Sequence, residues 1–307
     1  YIKYYDRTYF SHDSTDKDFV GEFINNHFRN KEHTVVSKFI KGKPRYDDEQ
    51  LSAPIPDERK KVLCLVDSYG WAAHNRIRVF RKLFGEKYRF DCIAMHEKER
   101  ITESMLSEYE LVYNTNWLFD KKFPLVGERV GNYKLITTVC SHNDQIETEE
   151  FKNVLKKYDI CTTSNQFLQE QVENQEHNIP IIYTPFGVDT SIFKQQNESQ
   201  DLIDDYIFVG KTNRPLKRYE PVQLSAMLLE KTLHVCNHNS GLSREQVSEI
   251  YNKSGTVICY STSEGTPNPV LEGAATGRAV ISSPVGNVPK LFSDGYPLSP
   301  VMDNYML

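Results

Sequence analysis

Tyr260-Ser-Thr-Ser-Glu-Gly-Thr-Pro-Asn-Pro-Val-Leu-Glu-Gly-Ala-Ala-Thr-Gly277 is the stretch on which the reading of this chain turns. It overlaps the end of Thr256-Val-Ile-Cys-Tyr-Ser261, a short apolar run bounded by Gly255 that predicts a buried strand. Residues 270–276 read as the beginning of a helix. Between strand and helix, Gly265, Pro267 and Pro269 make a turn whose non-proline amides can face an anion, assisted by the positive end of the helix. Glu264 stands before that turn and Glu272 in the first turn of the helix. Carboxylates so placed suit a polyhydroxy ligand, because they accept strong charge-assisted hydrogen bonds from hydroxyls.

Working outward, strand-like and helix-like runs alternate along most of the chain. From Lys61 they are 62–66, 75–84, 90–95, 101–109, 111–114, 133–140, 147–157, 159–163, 166–173 and 179–183. Such alternation predicts a parallel sheet with helices on both faces. A second alternating unit begins at Ile207-Phe-Val-Gly210 and runs through 219–229, 232–236 and 243–252 to the glutamate strand. The first 59 residues are polar and aromatic, with an amphipathic run at 19–28, and end in the proline-rich break Ser52-Ala-Pro-Ile-Pro-Asp57. The expected organisation is an extension, or part of the first domain, at 1–59, a first domain at 60–187 and a second at 188–307.

Composition narrows the class. Hydrophobic content of 39%, charged content of 26% and a net charge of −5 describe an ordinary folded chain with no electrostatic case for nucleic acid as its partner. Without a long apolar run or a signal-type start, the expectation is a cytoplasmic protein. The six cysteines fall in apolar runs with no C-x-x-C spacing and read as small buried hydrophobes. The helix over 76–84 carries Arg76, Arg78, Arg81 and Lys82 around Ile77, Phe80 and Phe84, a basic amphipathic face available for peripheral contact with the inner membrane surface.

Three other segments place chemistry at strand ends. Phe208-Val-Gly-Lys-Thr-Asn-Arg-Pro-Leu-Lys-Arg218 sets Lys211 just after a strand and Lys217 just before a helix, where open parallel sheets bind ligands. Leu65-Val-Asp-Ser-Tyr-Gly-Trp-Ala-Ala-His-Asn-Arg76 is a strand, a glycine turn and a basic helix, without the G-x-G-x-x-G of dinucleotide sites. Thr137-Thr-Val-Cys-Ser-His-Asn-Asp144 ends a further strand in a polar cluster. Taken singly, each has a plain structural reading: solvated lysines, a tryptophan buried at a helix start, a histidine satisfied within the fold.

As an ordered set, the Glu-x7-Glu turn, the following Ala279-Val-Ile-Ser-Ser-Pro-Val-Gly-Asn-Val-Pro289 and the earlier Gly187-Val-Asp-Thr-Ser-Ile-Phe193 resemble retaining glycosyltransferases of family 4. That resemblance covers residues 61–300 and implies the GT-B fold: α/β, two facing Rossmann-like domains with parallel sheets and a cleft between them. Only residues 290–307 follow, a shorter tail than is usual for the family. The implied reaction moves a sugar from a nucleotide diphosphate sugar to an acceptor hydroxyl with retention of anomeric configuration. In the implied catalytic set, Glu264 holds the sugar, Lys211 and Lys217 meet the diphosphate, and His142 reaches in from the first domain. Donor binding falls to Gly70, Gly265, Thr266, Asn268, Val270, Leu271 and Glu272, the last on the ribose. Arg218 stands where the family commonly has glycine, a departure that leaves the lysine register open by one position.

With two cations at the diphosphate and no D-x-D near the cleft, neither a metal nor another cofactor is expected. The acceptor class stays open among carbohydrate, lipid-linked, protein and small-molecule hydroxyls, and so does the oligomeric state. Two alternatives stand beside the transferase: a sugar-nucleotide epimerase or hydrolase on the same fold, and a non-catalytic partner subunit.

Overall fold

Lys60–Val66 (β2) carries an unbroken apolar run, and Leu63, Cys64, Leu65 and Val66 are fully buried. A strand with no polar face belongs in the middle of a parallel sheet covered on both sides. That is where it lies, between Tyr88–Ala94 (β3) and Leu111–Asn114 (β4). The computed structural model describes residues 37–39, 58–141, 146–196, 205–237 and 240–293.

The first sheet is six-stranded and parallel in the order β3-β2-β4-β5-β6-β7, completed by Lys134–Val139 (β5), Ile160–Thr163 (β6) and Ile181–Tyr183 (β7). Ala72–Phe84 (α1), Glu149–Leu155 (α4) and Gln166–Glu173 (α5) are its main crossovers, with the short Glu103–Leu106 (α2) and Pro124–Gly127 (α3) between. Thr102, Thr148 and Asn165 cap α2, α4 and α5 by accepting a backbone N–H of the first turn. Its core gathers Leu63, Leu65, Leu135, Phe151 and Trp117, the last two edge-to-face at 4.9 Å.

The second sheet runs β1-β9-β8-β10-β11, also parallel throughout. Its strands are Ser37–Phe39 (β1), Tyr206–Val209 (β8), Leu233–Cys236 (β9), Thr256–Cys259 (β10) and Ala279–Ser282 (β11). Tyr219–Leu228 (α6), Arg244–Asn252 (α7), Asn268–Ala275 (α8) and Val288–Ser293 (α9) complete it. Ser243 and Gln246 close a reciprocal capping box on α7. Phe193, Tyr251, Val257, Val270, Val280 and Val288 form the core on one side of this sheet. Each such buried side chain contributes roughly 1.5–3 kcal/mol relative to exposure.

Both sheets reverse direction at one point. In each, the chain leaves a first strand, crosses to one neighbour and then returns to the other side, so the switch points lie between β2 and β4 and between β8 and β10. Ligands of open parallel sheets bind outside the carboxyl ends of strands at such points.

Several expectations are revised. The piece of the N-terminal segment that is described, Ser37–Phe39, adds to the edge of the second sheet and not to the first; residues 19–28 lie outside the described residues. The helix expected over 101–109 shortens to Glu103–Leu106, because the Ser107 hydroxyl donates to the Ser104 carbonyl and the Glu110 amide is drawn to the sheet at Lys61. On α1 the expected apolar face is incomplete: Ile77 is buried, Phe80 half-buried, and Phe84 projects with Leu83 beside the exposed Arg78 and Lys82. Among the described residues no helix is long and apolar enough to cross a membrane.

Candidate active site

Gly210 and Lys211 leave the carboxyl end of β8, and Tyr260 to Glu264 leave that of β10, so the second switch point collects one lysine and one glutamate of the predicted set. A tight 3-10 turn, Pro215–Lys217, brings the second lysine back, and the Thr262 amide donates to the Leu216 carbonyl at 2.8 Å, tying that turn to the glutamate strand. As a result Lys217 Nζ and Glu264 Oε1 form a direct ion pair, with both side chains about 85% covered (15% and 14% exposed). The Ser261 hydroxyl donates to the same carboxylate oxygen at 2.6 Å. Arg218 follows in the left-handed region (φ 47°) and lies over the Tyr260 ring at 5.1 Å. Glycine adopts that conformation freely, whereas a residue with a Cβ is strained there.

Glu272, on α8, is half-buried, as is Glu264. Its Oε2 accepts from the Tyr251 hydroxyl at 3.1 Å, and desolvation pushes its carboxyl up to about 7, against the opposing pull of Tyr251 and Arg244. Between the two glutamates Gly265 is pressed against the first lobe: a Cβ there would sit 1.4 Å from the Cys140 carbonyl oxygen and 2.7 Å from Ser164 Oγ. Asn165 Nδ2 donates to the Gly265 carbonyl at 3.0 Å, and the Thr266 hydroxyl donates to the Ser164 carbonyl at 3.3 Å. From beneath, Gly286 (φ 58°) leaves room for the Gly265 carbonyl, which also accepts from the Asn287 amide at 3.1 Å.

The first switch point faces this assembly. Lys211 Nζ lies 4.3 Å from the centre of the Trp71 ring, a cation-π contact from one lobe to the other. Asp67, at the end of β2, keeps Oδ1 buried and without a hydrogen-bond partner among the described residues. Desolvation raises its carboxyl, opposed by the Ser68 amide and by the charges of Arg76 and Lys211. Gly70 adopts φ 77°, as a tight turn requires. Its amide, which the sequence reading gives to the donor, already donates to His74 Nδ1 at 2.9 Å. His74 is neutral and able to accept, because desolvation and the charges of Arg81 and Arg78 lower it to about 4.

The connection between lobes is pinned from both sides. Asp189 accepts from the Ser191 amide and hydroxyl and lies 3.9 Å from Lys82 and 3.8 Å from Arg244. Phe193 is buried against Tyr251, with ring centres 6.0 Å apart.

Of the predicted set, Lys211, Lys217, Glu264, Gly265 and Thr266 follow the carboxyl ends of β8 and β10, Glu272 lies further along α8 against Tyr251, and Gly70 stands in the loop after β2. Asn268 and Leu271 open α8, with Pro269 favoured in that first turn. Val270 serves the fold: it is fully buried and its amide is given to the Pro267 carbonyl. His142 lies outside the described residues. Among the described residues no cluster of His, Cys, Asp and Glu could hold a metal. Sequence reading missed Ser261, Asp67, Ser164 and Asn165. The Ser-Asn before a helical run was visible as a cap signal, but its reach to a turn 100 residues away was not.

Residues 193–304 match the family described as Glycosyl transferases group 1. Among curated proteins none matches the chain significantly by sequence. Sucrose-phosphate synthase from Thermosynechococcus elongatus superposes with a TM-score of 0.54 at 12% identity, over 75% of this chain and 82% of that one. A TarM variant from S. aureus, solved with Fondaparinux, alpha-GlcNAc-glycerol and UDP, gives 0.48 at 10% identity over 68% of this chain and 48% of its own. The lipopolysaccharide outer core galactosyltransferase WaaB, in its apo form, gives 0.45 at 12% identity over 78% and 84%. The first of these carries the fold: α/β with two parallel sheets, of the GT-B type that the sequence implies.

Proposed function

We propose that this protein transfers a sugar from a nucleotide diphosphate sugar to an acceptor hydroxyl, with retention of anomeric configuration. The observation that carries the reading is the Lys217–Glu264 pair at the β8/β10 switch point, with Lys211 beside it against Trp71 of the opposite lobe. The chemistry asks for both signs of charge. As the bond to the sugar breaks, the departing diphosphate gains negative charge while the sugar becomes oxocarbenium-like. Lys211, Lys217 and the turn amide at Thr266 stabilise the first from fixed positions. Glu264 takes the sugar hydroxyls and Glu272 the ribose, while His142 orients the sugar from the first lobe.

Lys217 and Glu264 neutralise each other. Donor entry exchanges partners: the diphosphate takes Lys217, and the freed carboxylate accepts from the sugar. Lys211 likewise exchanges the Trp71 face for a phosphate. No side chain forms a covalent intermediate in this scheme, and no step draws on a metal.

The test is a panel of UDP-, GDP-, ADP- and TDP-sugars incubated with purified protein and simple hydroxyl acceptors. Expected are release of nucleoside diphosphate, a product of the donor's anomeric configuration by NMR, and a loss of about 10²–10³ in kcat for Lys217→Ala. Turnover of donor alone to an epimer or to free sugar moves the assignment to an epimerase or hydrolase. Binding without any turnover moves it to a non-catalytic subunit.

A further inference from the structure

We propose that Asn165 of the first lobe is a positioning residue that aims the Thr266 amide of the second lobe at the donor. The inference rests on the donor-site reading above and adds a dependence on the opposite lobe that the glutamates and lysines do not contain.

The geometry begins with one peptide unit. The Gly265 carbonyl accepts two hydrogen bonds, from Asn165 Nδ2 at 3.0 Å and from the Asn287 amide at 3.1 Å. A trans peptide is planar, with its N–H directed opposite to its C=O. Holding the Gly265 carbonyl therefore fixes the direction of the Thr266 N–H, away from both anchors. Among the described residues that amide has no acceptor of its own. It stands between Glu264 and the start of α8, where a preorganised donor meets developing charge without reorganising at the moment of reaction.

Asn165 is built for this. It is 1% exposed, and its Oδ1 accepts the Leu168 amide at 2.8 Å as the cap of α5, which leaves Nδ2 as the atom facing Gly265. The side chain is thus held by its own helix before it reaches across. Its neighbour Ser164 adds a second cross-lobe bond through its carbonyl to the Thr266 hydroxyl. Gly265 is the residue that permits the approach, since any side chain there would collide with the Cys140 carbonyl. Asn287, the other anchor, belongs to the second lobe, so Asn165 is the anchor supplied from across the interface.

The test uses Asn165→Asp and Asn165→Ser. Both keep an oxygen that caps α5, and both remove the N–H that reaches Gly265. First, amide spectra of the donor-free protein are compared. The proposal expects shifts at Gly265 and Thr266 in both variants, with the smaller loss of melting temperature in Asn165→Ser, since the carboxylate of Asn165→Asp would face the Gly265 carbonyl oxygen in a buried site. Second, donor kinetics and equilibrium binding are measured with the nucleotide sugar that wild type turns over. Expected is a fall in kcat of about tenfold or more, with nucleoside diphosphate binding weakened by a smaller factor, because charge on the diphosphate is greatest as it departs. Variants that match wild type in kcat overturn the proposal alone, as does an unchanged Thr266 resonance. A wild type that binds no nucleotide sugar overturns the donor-site reading and this proposal with it.

Discussion

At the scale of single residues, the most informative group is Glu272. Desolvation raises its carboxyl from the ordinary glutamate range to about 7, so the folded state holds this proton more tightly than the unfolded chain does. A carboxyl raised in this way favours the fold at low pH, and that contribution is lost as pH climbs from about 4.5 through 7. Glu272→Gln removes the cost of the buried charge. It is expected to raise stability at about pH 8, by up to roughly 3 kcal/mol, and to change little near pH 5, as read from urea melts at the two pH values. The same variant should lose nucleotide binding, the usual exchange between a strained site and a stable one. Lys217→Met, by contrast, leaves Glu264 largely covered and without its ion-pair partner. A loss of about 3 kcal/mol is expected in the same melts, because a buried charge without its partner costs more than the pair supplies. These glutamates and lysines were legible in the sequence because each sits at a fixed offset from a strand or helix end. Ser261, Asp67 and Asn165 were not, since their importance comes from partners brought near only by folding.

At the scale of elements, the turn between β10 and α8 is fitted against two others. Gly286→Ala would place a Cβ 2.2 Å from the Gly265 carbonyl oxygen at a φ of 58°, so steric and backbone strain act together. A loss of more than about 2 kcal/mol is expected by chemical denaturation, along with loss of activity. At Gly277 (φ 70°) an added Cβ meets the Gln195 side chain at 2.9 Å, where the neighbour can give way. Gly277→Ala should therefore cost mainly its backbone strain, about 1 kcal/mol, and spare the chemistry. Element reading from sequence was accurate where the signal was local. The strand at 111–114 and the helix at 166–173 fall where expected, and the helix read from Ser243 begins one residue on, with Ser243 as its cap. It failed where tertiary pull competes. The helix read over 101–109 gives up its ends. Phe84 followed helical spacing yet ends on the surface, because periodicity assigns a face and cannot say how far the sheet beneath extends.

At the scale of the whole molecule, two parallel sheets with the same kind of switch point meet carboxyl end to carboxyl end. Contacts between them concentrate at Gly265, Thr266 and Lys211, and at the crossover around Asp189, where Lys82 of one lobe and Arg244 of the other flank a single carboxylate. The same groups that would bind the donor thus also join the lobes, so donor binding and lobe contact are expected to depend on each other. The central claim is that acidic and cationic groups of the second lobe, roofed by the first, form one nucleotide-sugar pocket. Calorimetric titration of the donor-free protein with UDP, GDP, ADP and TDP tests it most directly, in wild type, Lys211→Ala, Glu272→Ala and Trp71→Ala. The account predicts that one nucleoside diphosphate binds wild type and that all three variants weaken it, the Trp71 variant included although it lies on the other lobe. Absence of binding by every diphosphate, or binding that none of the three substitutions disturbs, would contradict it.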